Sequence, residues 1–91
     1  MNLHRDASNR LTASLDANRD SYRSFVAKVV RQFDLKSASK RIDGPDEVFE
    51  DFAQGDLIVA LEWDSTMGCQ VVAKSPAAEP LVEAIAAFVS A

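Results

Sequence analysis

The chain has 91 residues, 47% of them hydrophobic and 26% charged, with a formal net charge of −4 and a pI of 4.8. That length supports one small α+β domain spanning 1–91, and a single cysteine, Cys69, excludes an intramolecular disulfide framework and a cysteine-based zinc site. No run approaches the roughly 18 apolar residues of a membrane-spanning helix, and the N-terminus lacks the apolar core of a signal peptide, so a cytoplasmic protein with no membrane contact is the expectation.

Charge is strongly segregated along the chain. Residues 1–42 hold nine Lys or Arg against four acids. Residues 43–64 then hold eight carboxylates and no Lys or Arg: Asp43, Asp46, Glu47, Glu50, Asp51, Asp56, Glu62 and Asp64. Such polarity bears on partner choice and association rate rather than on fold. Arg5, Arg10 and Arg19 with Ser8 and Ser14 faintly resemble the composition of an organelle transit segment, but Asp6, Asp16 and Asp20 argue against one.

Residues 1–13 read as a flexible or weakly helical arm, with sparse apolar positions Leu3, Ala7 and Leu11 four apart. From Ser14 the spacing of Leu15, Tyr22, Phe25, Val26, Val29 and Phe33 predicts a helical stripe. Asn18 or Asp20 suits the N-cap, so the firm helix starts near 20 with a weaker helix before it. Asp34 ends the stripe, and Asp43-Gly44-Pro45-Asp46 is a turn signal.

Residues 47–53 are contested. Val48, Phe49, Phe52 and Ala53 have helical spacing, but a third strand would support a hairpin that is marginal alone, and the balance tips to a strand. Residues 56–63 are clearer: Leu57, Val59, Leu61 and Trp63 share one strand face. After a turn at 64–68, residues 69–74 form a second strand, with Trp63 opposite Cys69, Leu61 opposite Val71 and Val59 opposite Ala73. Pro80 fits a helix only in its first turn, and Leu81, Val82, Ile85, Phe88 and Val89 continue as a helical stripe.

These elements compose an α+β domain: an N-terminal helix, a short antiparallel meander of two or three strands, and a C-terminal helix, with both helices on one sheet face. The other face would carry Ile58, Ala60 and Val72 among polar residues. That composition favours a homodimer through the face or through an edge strand.

The chemistry-bearing residues are few. His4 is the lone histidine and sits in the arm, far in sequence from the carboxylate cluster, where a general base has no fixed proton to reach. Cys69 has no cationic neighbour or second cysteine, so it reads as a small buried residue rather than a nucleophile. Glu62 and Asp64, two apart on a strand, are the candidates for a divalent cation, a small ligand or acid–base work, but the turn that follows lacks the spacing of a calcium loop. No glycine-rich phosphate loop is present, and the acidic pI disfavours nucleic acid despite Arg19, Arg23, Lys28 and Arg31.

The expectation is a non-catalytic protein-binding module with no cofactor or metal. It would act on a basic protein partner, as an inhibitor or immunity-type protein or an assembly protein, through Asp46, Glu47, Glu50, Asp51, Glu62, Trp63, Asp64 and Met67. The alternative is a metal- or small-ligand-binding domain, or an enzyme, using Glu62 and Asp64.

Overall fold

In the computed structural model, which describes residues 1–91, seven strands form one antiparallel sheet with two helices on one side. The elements run β1 (Asn2–Arg5), β2 (Leu11–Leu15), α1 (Arg19–Phe33), β3 (Lys36–Ser37), β4 (Ile42–Asp43), β5 (Glu47–Gln54), β6 (Leu57–Asp64), β7 (Gly68–Ala73), a 3₁₀ turn (Pro76–Ala78) and α2 (Glu79–Ser90). The strand order is β1-β2-β7-β6-β5-β3, with β4 also pairing β5. A meander of two or three strands is therefore too small. The long strands β5, β6 and β7 form its centre, and four short strands extend it on both sides.

The centre follows from alternation. Val59, Leu61 and Trp63 on β6 meet Ala73, Val71 and Cys69 on β7, the register that the apolar pattern requires. On the other flank β5 pairs β6 along its whole length, from Glu47 opposite Asp64 to Gln54 opposite Leu57. Val48 and Phe52 thereby join the same face as Leu61 and Val59. The helical spacing of Val48, Phe49, Phe52 and Ala53 loses to this ladder, because a strand here completes eight cross-strand pairs.

The N-terminal segment is a hairpin rather than an arm. Leu3 pairs Ala13 and His4 pairs Thr12 within it, and β2 then pairs β7, with Ala13 opposite Val71. The Asp6 carboxylate accepts from the backbone N–H groups of Ser8 and Arg10, both at 2.9 Å, and Asn9 takes the left-handed conformation with φ 61°. Leu15 thus ends a strand instead of opening a helix. The helix starts at Arg19, where the Asn18 side chain accepts from the Ser21 N–H at 2.8 Å, and stops at Asp34, a left-handed cap with φ 51°.

Helices and sheet share one core. Tyr22, Phe25 and Val29 from α1 and Leu81, Val82, Ile85 and Ala86 from α2 pack on Ala13, Val48, Phe52, Val59, Leu61, Val71 and Ala73. Phe33 and Phe88 join the helices edge to face, with ring centroids 5.8 Å apart. The Tyr22 hydroxyl donates to the Leu61 carbonyl at 2.7 Å, so the polar end of that buried ring is satisfied.

The opposite sheet face has no helix. Ala60 and Val72 lie there as expected, yet both are buried, at 1% and 7% exposure. They are small residues between longer ones, and the Lys74–Asp51 ion pair, 3.9 Å, joins β5 to the end of β7 across β6. The apolar pressure to cover this face is thus smaller than the sequence implies.

The two edges differ. On the β5 side, β3 and β4 are two-residue strands, and between them Ala38 N–H donates to the Asp51 carbonyl while the Asp51 N–H donates to Ser39 Oγ. On the other side β1 is the outermost strand.

Two substitutions test this architecture. Leu61→Ala removes a fully buried side chain at the centre of the core and should cost about 2–5 kcal/mol in urea denaturation, a large part of the stability of a small domain. Gly68 has φ +75°, and a Cβ there would lie 2.6 Å from the Leu15 carbonyl oxygen. Gly68→Ala should therefore destabilise by at least about 1–3 kcal/mol, the cost of the backbone conformation before the clash is counted.

Candidate functional site

Strand alternation divides the acidic block between two faces. Glu47, Phe49 and Asp51 of β5 pair with Asp64, Glu62 and Ala60 of β6, and all of them lie on the open face. Ile42 of β4 sits opposite Phe49 and joins that face. The result is an exposed apolar pair, Ile42 at 44% and Phe49 at 37%, beside Glu47, Glu62 and Asp64. A shallow recess of about 310 Å³ is lined by Glu47, Phe49, Glu62, Trp63, Asp64 and Lys74.

These carboxylates are weakly neutralised within the chain. Glu47 and Glu62 make no ion pair or side-chain hydrogen bond, and Asp64 accepts only from the N–H groups of Thr66 and Met67 in its own turn. Partial burial pushes the Glu62 carboxyl above its ordinary range. Lys74 opposes the shift, and Asp51, Asp6 and Asp64 reinforce it. Glu47 directly opposite Asp64 is a like-charge cross-strand pair, an arrangement that costs stability.

The other residues expected at the site lie elsewhere. Glu50 is on the helix side of β5, where its carboxylate accepts from the Ser37 hydroxyl at 2.5 Å. Asp46 sits in the turn before β5, and its carbonyl accepts from the Ser65 N–H. Met67 is 52% exposed in the β6–β7 turn. Trp63 is a pin and not a free anchor: it packs against the core, and its indole N–H donates to the Ala17 carbonyl at 2.8 Å. The Arg19 guanidinium lies 5.0 Å from the centre of the indole ring.

Arg19, which the sequence offers as part of a basic helix face, has a structural role here. It donates to the carbonyls of Gly44 and Pro45 at 2.6 and 2.8 Å and approaches Asp43 at 3.6 Å. It therefore ties the start of α1 to the turn that launches β5. Arg41 also approaches Asp43, at 3.8 Å. Phe49 was missed as well, although its alternation with Val48 would have placed it outward once residues 47–54 were taken as a strand.

The nucleophile and base candidates stay apart. Cys69 is fully buried, and desolvation pushes its thiol up to about 12, which leaves negligible thiolate at neutral pH. His4 lies on β1, its Nδ1 3.4 Å from the Asn2 carbonyl. No three His, Cys, Asp or Glu side chains converge as a metal-holding group. No helix is long and apolar enough to cross a membrane.

No family model matches the chain, and neither a curated protein nor a solved structure does.

Ionising Glu62 costs the folded state more than the unfolded one, so its contribution favours folding at low pH and is lost as pH rises from its unfolded to its raised folded value. Glu62→Gln should therefore raise the melting temperature at pH 7, and the gain should fade below the ordinary Glu range. Parallel thermal melts across pH 3–8 check this.

Proposed function

We propose that the protein is a non-catalytic binding module that takes a basic protein partner on the open face of its sheet. The observation that carries this reading is the exposed Ile42–Phe49 pair bordered by Glu47, Glu62 and Asp64, carboxylates without an ion-pair partner in the chain. An apolar centre with a polar rim is the anatomy of a protein interface. A Lys or Arg side chain from a partner would satisfy Glu62 and relieve the repulsion between Glu47 and Asp64. The same charge speeds encounter with a basic surface, as suits an inhibitor of a basic enzyme.

The burial of Cys69, the one thiol, supports a non-catalytic role over an enzyme with a cysteine nucleophile. Use of Glu62 and Asp64 as a metal pair has less support, because no third ligand joins them.

The test is capture of partners from a lysate at low and high salt, followed by titration of the purified partner. A partner of this face should bind more weakly at high salt. Glu47→Lys with Glu62→Lys should weaken it by about tenfold or more, and Phe49→Ser should do so with little change in salt dependence. Asp20→Lys, on exposed helix surface, serves as the control. Unchanged affinity in the Glu47/Glu62 double variant would remove the open face as the recognition surface.

A further inference from the structure

A second concavity lies on the helix side, separate from the acidic face. It is a cleft of about 450 Å³ between α1 and β5, and the chain returns over it at Arg41, just before β4. Its apolar lining is Val26, Ala27 and Val30 from α1 and Phe52 from β5, beside the Tyr22 ring, whose hydroxyl is engaged by the Leu61 carbonyl. Arg23 from α1 and Arg41 also line it, so two guanidinium groups from separate elements flank one apolar floor. Arg23 makes no ion pair or side-chain hydrogen bond, and the sole acidic contact of Arg41 is the 3.8 Å approach to Asp43. The one carboxylate in the cleft, Glu50, accepts from the Ser37 hydroxyl and keeps its charge, so the lining holds two guanidinium groups against one carboxylate.

We infer that this cleft binds a small amphipathic anion: a ring-sized apolar body on Val26, Val30 and Phe52, with a carboxylate between Arg23 and Arg41. The volume lies in the range of small-molecule sites, which are apolar hollows with a few placed polar groups. Charge decides the class of ligand. A cation would meet two arginines against the single carboxylate of Glu50, and a neutral ligand would leave Arg23 unused. A carboxylate accepts from a guanidinium through paired hydrogen bonds. The ligand would also join α1 to the 36–43 segment, which the sheet holds through two short strands and the hydrogen bonds of Ala38 and Ser39 to Asp51.

The experiment is titration of the ¹⁵N-labelled protein with 1-naphthoate, with 1-naphthamide as the uncharged match, followed by amide shifts. Naphthoate should move the signals of Val26, Ala27, Val30 and Phe52 saturably, and the amide should bind about tenfold more weakly or worse. Arg23→Gln with Arg41→Gln should lower naphthoate affinity by a similar factor. Ala27→Trp, at an exposed helix position on the cleft, should block both compounds, and the dispersion of the remaining signals reports that each variant is folded. Absence of saturable shifts at the cleft with millimolar naphthoate would overturn the assignment. So would equal binding of the amide, or naphthoate affinity unchanged in the double arginine variant. Because Glu47, Phe49 and Glu62 line no part of this cleft, the result is independent of the partner reading.

Discussion

The register of β6 against its two neighbours decides which side chains the helices can cover. With Leu61 opposite both Glu50 and Val71, the alternate apolar residues Val59 and Leu61 of β6, Cys69, Val71 and Ala73 of β7 and the Val48–Phe52 pair of β5 join Tyr22, Val29 and Ile85 in one core. A slip of one residue would send Val59 and Leu61 to water and bring Glu62 under the helices. Burial of Leu61, Val59 and Val71, each fully enclosed, makes that slip prohibitive. The same constraint fixes the open face, because Glu47, Phe49, Glu62 and Asp64 are outward only while the core residues are inward.

Charge is arranged around that frame in two different ways. Arg19 and Arg41 draw Asp43 into the joint between α1 and β5, and Lys74 approaches Asp51 across β6. Partly exposed pairs of this kind add little stability, and the joint also rests on the Arg19 hydrogen bonds to Gly44 and Pro45 and on Trp63 beneath the guanidinium. Glu47, Glu62 and Asp64, which make no ion pair, share the open face. The unpaired guanidinium of Arg23 faces the helix-side cleft.

The long, regular elements were legible in the sequence. Both helices, the pairing of Trp63 with Cys69 and the turn at 43–46 follow from period, cap and turn chemistry, because each signal spans enough residues to stand alone. The N-terminal hairpin was not, because Asn2–Arg5 carries one apolar residue and Leu11–Leu15 reads as a prelude to the helical stripe. Leu11–Leu15 becomes a strand by pairing with β7, a contact that crosses more than fifty residues of chain, and Asn2–Arg5 then pairs onto it. Strands β3 and β4, two residues each, carry no pattern to read. For the candidate site, the acidic block was visible, but its division was not. Glu50 and Trp63 left the group because they alternate with Phe49 and Glu62, and Trp63 found its partner in Ala17.

The unequal edges of the sheet limit how copies of this chain can associate. Ser39 and Ala38 occupy the backbone groups of Asp51 on one margin, while β1 forms the other. Strand addition at β1 uses up that margin in each molecule that joins. Growth by this route stops at a pair, since the pair presents only its two guarded margins to the next molecule.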